Sequence, residues 1–337
     1  MKNLILISAI LVIVQLASAY DEKDIQRILK ENEEITQLQE YKDDEAMIRM
    51  KCDQIDYINS FRKSYKAQPV KFDVLASRVA NMHAKMSVDN NYYGHWDING
   101  NTPFLRWGLN GGKDHVTENV FTKWGAMTFK GYTKDQIRKQ IEAQYAGKLD
   151  KIMREGVDGF MAEGPGGGHH DALVDGHHNF VGIGLATTNV VETGKAEYRI
   201  LYCEEYLDRY IEFDELNIVV APNEKTTITG TIIPKDWGLY AIFVYYHPFP
   251  DPMTPDEIKS RHSYPDYTDK KHEMLWPWDL TFDQSKQTFS YTFSAKKKGY
   301  YYVQLFIKED ISSIPYTSGD ANTKGLCNAS GLIITVK

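Results

Sequence analysis

The residues best equipped for chemistry lie between His95 and His178. His95 sits in Gly94-His95-Trp96-Asp97, a loop sequence that runs on to Asn99-Gly100. Glu118 lies in Thr117-Glu118-Asn119-Val120, just ahead of an apolar residue. Glu163 closes Phe160-Met161-Ala162-Glu163, and a glycine-rich stretch leads from there to His169-His170-Asp171 and then to His177-His178. Two imidazoles with two carboxylates can hold a divalent transition metal or pass protons. Spacing alone is a weak signal, because a loop histidine is more often a hydrogen-bonded surface residue. His170 is an alternative to His169. His177 and His178 read as a polar turn entering a strand, or as an extension of the metal site that would make a pH-sensitive rim. The sequence has no His-Glu-x-x-His helix and no nucleophile elbow, so no catalytic residue is assigned.

Around these residues the apolar pattern predicts the elements that must carry them. Ile55, Ile58, Phe61 and Arg62 fit one helix that ends before Pro69, and Val74 to Met86 fits a second. A third helical pattern runs from Tyr132 to Met153 with a break at Gly147. Val181 to Ala186 and Tyr198 to Tyr202 read as strands joined through Asn189 to Gly194. Helices followed by paired antiparallel strands point to a layered α/β domain over residues 50–213. Ahead of it, residues 20–49 form a charged linker in which Ile25, Ile28, Leu29, Ile35 and Leu38 mark an amphipathic helix.

After about residue 214 the chain changes to short β-branched and aromatic runs between turn residues. These are Ile218–Ala221, Thr226–Ile233, Leu239–Tyr246, Thr288–Ser294, Tyr300–Ile307 and Leu332–Val336. A β-sandwich of about seven strands is predicted for 214–337. Its Tyr245-Tyr246-His247, Trp276-Pro277-Trp278 and Tyr300-Tyr301-Tyr302 are either sheet-stacking core residues or a platform for carbohydrate or protein.

With 337 residues, 42% hydrophobic and 25% charged, the chain is ordinary for a globular protein. A net charge of −7 with no basic stripe argues against nucleic acid as a partner. Residues 1–19 have a basic Lys2, an apolar run from Leu4 to Leu16 and Ala17-Ser18-Ala19, the pattern of a cleaved secretory signal. Removal would leave Tyr20 first and no integral membrane segment. Three cysteines, Cys52, Cys203 and Cys327, can close at most one internal disulfide in an exported chain. Asn328-Ala329-Ser330 is a glycosylation sequon.

Residues 50–213 resemble the CAP superfamily, also called SCP domains, which includes cysteine-rich secretory proteins, antigen 5 and plant pathogenesis-related proteins. Asp56-Tyr57-Ile58-Asn59-Ser60-Phe61-Arg62 resembles its first helix, and Ala80 to Met86 its second. Asn90 to Asp97, followed by Gly100, Pro103 and Arg106, resembles the loop bearing the first site histidine. Glu118-Asn119-Val120 is similar to the Gly-Glu-Asn motif, with Thr117 in place of Gly. Glu163 matches the Glu of the Trp-Tyr-x-Glu motif, with Phe160 for Trp, and His169 matches the second site histidine. The Gly-His-Tyr-Thr-Gln motif of animal members and their disulfide set are absent.

The resemblance implies an α+β protein, with a three-layer α-β-α sandwich followed by the all-β, sandwich-like region. It also implies that His95, Glu118, Glu163 and His169 converge in one cleft, with His95 and His169 on a weakly held Zn²⁺ or other divalent cation. The function implied is a secreted extracellular binding or signalling module for an ion, lipid, glycan or protein. The alternative is a metal-assisted hydrolase or peptidase using the same cleft.

Overall fold

The computed structural model describes residues 20–145, 147–261, 263–264, 270–310 and 325–337. The signal sequence expected at 1–19 lies outside the described residues.

Two helices open the described chain, α1 (Glu22–Glu34) and α2 (Glu45–Ser64). The single amphipathic helix expected within 20–49 is therefore split, and α2 absorbs the next predicted helix. The split follows from capping: Asp21 accepts from the Asp24 N–H, and Asp44 accepts from the Met47 N–H, so each starts its own helix. Between them the chain turns through Leu38, at φ 52°, and a 3-10 turn at Gln39–Tyr41. The buried Arg78 guanidinium pins this turn by donating to the carbonyls of Ile35 (2.9 Å) and Gln37 (2.6 Å).

The first sheet has strand order β1-β3-β4-β2, from β1 (Lys71–Phe72), β2 (His115–Thr128), β3 (Phe180–Glu192) and β4 (Lys195–Asp208). β2 and β4 pair antiparallel from His115↔Asp208 to Thr128↔Lys195, which leaves β2 at the sheet edge. β2 is the one long strand of this region missing from the sequence reading, because its apolar residues do not alternate. One face of the sheet is covered by α2, α6 (Leu149–Ala162) and α7 (Gly168–Val174), which bury Ile55, Val157, Phe160 and Leu173 against Val181, Ile183, Tyr202 and Tyr206. On the other face lie α3 (Val74–Asn90) and α4 (Pro103–Leu109), with Ala80, Ala84 and Val88 on Leu201 and Cys203. α5 (Lys134–Tyr145) packs Ile137 and Ile141 beside Ala196 on the far end of the hairpin. This is the three-layer arrangement expected.

Gly182 and Gly184 let α3 lie directly on β3. A Cβ at Gly184 would sit 2.3 Å from the Ala80 carbonyl carbon, and one at Gly182 would sit 2.2 Å from that of Ala76. Backbone cannot move aside as a side chain can. Gly184→Ala is expected to cost about 1–3 kcal/mol through overpacking; unfolding in denaturant at wild-type midpoint would refute that contact.

The remaining described chain forms two packed sheets, as expected of a sandwich, but with ten strands rather than about seven, because short edge strands such as β6, β10 and β13 carry too few residues to show alternation. One is β10-β11-β7-β5, from β5 (Ile211–Phe213), β7 (Lys225–Ile232), β10 (Thr281–Asp283) and β11 (Thr288–Ser294). The other is β6-β14-β12-β8-β9, from β6 (Val219–Val220), β8 (Gly238–His247), β9 (Lys271–Leu275), β12 (Gly299–Lys308) and β14 (Leu332–Val336), with β13 (Leu326–Asn328) beside β12. Ile228, Phe289, Phe293, Val244, Val303 and Ile334 fill the space between the sheets. Tyr245, Tyr246, Tyr301 and Tyr302 are buried, so they are core residues; Trp278 is exposed and stacks on Trp276 at 5.9 Å.

A shared apolar seam joins the two regions. Phe104 of α4 stacks on Tyr302 at 4.5 Å, and Trp107 and Ile333 lie in the same cluster. The Asn328 amide nitrogen, the atom a glycan would occupy, lies 3.0 Å from His115 Nδ1 in this seam, with Ala329 and Ser330 buried beside it. With its amide engaged in the seam and its next two residues buried, the sequon does not lie on an open surface. Cys52, Cys203 and Cys327 are all buried, unpaired and in separate clusters.

Candidate metal-binding cleft

The cleft forms at the free edge of β2, where the two helical layers approach each other. His95 arrives from the α3 side, in the loop after that helix. His169 arrives from the other side, in the first turn of α7. Alternation along β2 serves both: Glu118 points toward the α3 layer and Asn119 toward α7. The Asn119 amide donates to the His169 carbonyl at 3.0 Å and so ties α7 to the strand. Phe160 of α6 stacks on the His169 ring at 5.0 Å.

The two imidazoles stack with centroids 6.4 Å apart and planes at 30°. Each has a carboxylate on Nδ1. His95 Nδ1 lies 2.8 Å from Glu118 Oε1, and His169 Nδ1 lies 2.5 Å from Glu163 Oε1. The His169 backbone N–H also donates to Glu163 Oε2 at 3.1 Å. Neither Nε2 has a hydrogen-bond partner among the described residues. All four residues named from the sequence therefore meet in one place. The His95 side chain is 14% exposed and that of His169 34%, so both rings are reachable from solvent.

Below His95 lies a buried charge cluster. Arg106 of α4 pairs with Glu118 Oε2, donates to the His95 carbonyl and lies 3.7 Å from Glu205 Oε1. Burial pushes the Glu118 carboxyl up, but the Arg106 guanidinium, His83 and His95 together hold it well below the ordinary carboxylate range. Glu205 goes the other way. Burial and the neighbouring Glu118 charge raise it well above that range. His83, which meets the Gly94 carbonyl at 2.9 Å, is pushed down to about 4 by burial and Arg106 and is neutral. For Glu163, partial burial raises the carboxyl, yet its His169 contacts lower it on balance.

Glu118, Cys203 and Glu205 place three possible metal-ligand atoms within 4.8 Å of one another. Arg106 already supplies the cation there, and burial raises the Cys203 thiol well above its ordinary value, so it donates to Glu118 as a thiol (3.4 Å). The imidazole pair, by contrast, leaves two neutral-type donor atoms facing the cleft. Free Nε2 atoms with Nδ1 held by carboxylate is how histidine ligands are commonly oriented.

The secondary candidates stand apart. His170 uses both ring nitrogens, on Asp171 (2.9 Å) and the Tyr65 hydroxyl (3.1 Å). His177 pairs with Asp175 (3.0 Å) and His178 with Asp208 (2.6 Å); Arg62 ties the carbonyls of Asp175 and His178 to α2. Among the described residues, none of these three rings hydrogen-bonds to or stacks on the ring of His95 or His169. The sequence reading did not find the structural roles of Arg106, Asn119 and Glu205. It also passed over Tyr264, whose ring lies 4.8 Å from that of His95. Consecutive acids in an otherwise apolar strand, Glu204-Glu205, were the available signal for a buried polar cluster.

Residues 55–203 match the family model described as CAP, the cysteine-rich secretory protein family. No curated protein matches the chain in sequence. Among solved structures, an extracellular protein containing an SCP domain from Bacillus anthracis is similar at 16% identity and a TM-score of 0.31, over 47% of this chain and 39% of that one. The chain thus spans about two fifths of the Bacillus protein. An outer surface protein from Borrelia burgdorferi is similar at 14% identity and a TM-score of 0.28, over 46% of this chain and 92% of that one. Among the described residues no helix is long and apolar enough to cross a membrane.

Proposed function

From a chain whose residues 55–203 carry a CAP domain, we propose an extracellular binding module that holds a divalent transition metal ion on the Nε2 atoms of His95 and His169. Residues 1–19 would direct its export. One observation carries the reading: each Nδ1 is engaged by a carboxylate, which leaves both Nε2 atoms to the cleft. Glu118 and Glu163 orient the rings and offset the ion's charge. With two firm protein ligands the ion would be modestly held. Its open positions would supply a Lewis-acidic point for an oxygen or nitrogen of an extracellular ligand, with lipid and glycan headgroups as the classes to examine first. A hydrolase reading finds less support. Glu118 is buried against Arg106 and Glu163 holds His169, so neither is free to act as a general base.

Equilibrium dialysis of the metal-stripped chain against Zn²⁺ tests this. About one ion per chain is expected, and none for His95→Ala/His169→Ala with unfolding unchanged in the absence of metal. His177→Ala/His178→Ala should keep the ion. Loss of the ion from that second pair, with His95→Ala still loaded, would put the site elsewhere.

A further inference from the structure

The β-rich region does more than stand beside the cleft. Between β8 and β9 the chain leaves the sandwich and crosses to the loop that bears His95. Several contacts fasten the described part of this crossing, residues 248–261 and 263–264. The Met253 N–H donates to the Ile98 carbonyl at 2.9 Å. Gly100, at φ +78°, allows the Asp251 carbonyl to come so close that a Cβ would sit 2.3 Å from its oxygen. A helical turn, α8 (Pro255–Lys259), is closed by a capping box of Thr254 and Glu257. It buries Ile258 against Tyr92 and Trp96, the residues flanking His95 in sequence. The Arg261 guanidinium then lies 4.9 Å over the Trp96 ring. Tyr264 follows with its ring 4.8 Å from that of His95, tilted at 57°, and its hydroxyl accepts the Glu118 N–H at 2.9 Å.

That last hydrogen bond is specific. β2 is the edge strand, and the Glu118 N–H turns away from β4 to meet the Tyr264 hydroxyl. The same tyrosine thus touches the backbone of one cleft residue and the ring of another. Packing between two regions needs only the apolar contacts of Ile258 and Trp96; it does not need a phenol bridging His95 and Glu118.

We infer that Tyr264 is a positioning residue of the cleft, delivered by the β-rich region, which fixes the His95 ring from its open side while Glu118 fixes it from within. A ligand that reaches His95 then meets an aromatic face from the second region, so the site belongs to both. This rests on the metal reading for its consequence, though not for its geometry.

The full-length, metal-stripped chain provides the test, with Co²⁺ as the probe. Tyr264→Ala is expected to shift the His95 ring signals in NMR spectra while those of His170 stay in place. It should also weaken Co²⁺ binding about tenfold, the scale of losing an orienting partner. Tyr264→Phe keeps the ring and removes the hydroxyl. It should recover most of the Co²⁺ affinity, while the Glu118 amide exchanges faster than in wild type. Unmoved His95 signals in Tyr264→Ala would overturn the inference. If Tyr264→Ala does not fold, an unchanged Glu118 exchange rate in Tyr264→Phe would overturn it instead. If wild type takes up no Co²⁺, the metal reading fails, and the positioning role is judged by the His95 and Glu118 signals alone.

Discussion

Arg106→Met is expected to destabilise the protein by about 3–5 kcal/mol, the cost of removing one partner from a buried ion pair. Methionine fills much of the space but brings no charge. The Arg106 and Glu118 side chains are both fully buried, so no water can replace the lost cation. The substitution also deletes the donor to the His95 carbonyl. pH gives the loss a signature. In wild type the Glu118 carboxyl is held low, so its contribution to stability is present at neutral pH and is lost only in strong acid. Without Arg106 the same buried carboxyl is raised, so the variant loses stability as pH rises. The gap between variant and wild type should therefore shrink on acidification. Denaturant unfolding at pH 5 and pH 8 measures it; a deficit below about 1 kcal/mol at both would show that the cluster does not depend on its cation.

The second large effect comes from Glu204, next to Glu205 on β4 and on the opposite face of the sheet. It is fully buried and accepts from the hydroxyls of Tyr202 (2.6 Å) and Tyr206 (2.9 Å) and from the Asn119 amide (3.2 Å). Burial outweighs these donors and pushes the carboxyl up to about 7, from an ordinary value of 4.5. An acid raised on folding gives up its proton more readily when unfolded. Its contribution is therefore full below pH 4.5 and is lost as pH rises through 7. The span is worth about 3 kcal/mol at 1.36 kcal/mol per pH unit. Glu204→Gln, neutral throughout, should lack this slope. Asp114, which burial raises to about 6, contributes with the same sign but is present in both chains, so the difference isolates Glu204. Parallel pH–stability curves for wild type and Glu204→Gln would refute the assignment.

Much of the architecture was legible because local and long-range signals agreed. The helices of the first region carry three- and four-residue apolar spacing, and the strands after residue 214 alternate. Thr226 to Ile232, for example, places every second side chain inward along β7. β2 was not legible. Glu118 and Asn119 are buried polar residues on opposite faces, and their burial depends on Arg106, Glu204 and α7, none of them near in sequence. A strand that buries polar groups on both sides does not alternate in the ordinary way. The cleft residues were reached by likeness to a known family, since two histidines 74 positions apart announce nothing by spacing. Tyr264 had no local signal at all. Its place depends on a crossing between β8 and β9 that only tertiary packing fixes, through Gly100 and Ile258.

The contact between α4 and β14 has a mechanical consequence. Gly108 leaves room for Ile333, since a Cβ there would sit 2.3 Å from Ile333 Cγ1, and the Gly331 N–H donates to the Lys113 carbonyl at 2.8 Å. α4 is the helix that carries Arg106, and Arg106 grips both Glu118 and the backbone of His95. Through Gly108 and Ile333 the last strand is thereby coupled to the helix whose guanidinium holds both sides of the His95–Glu118 contact.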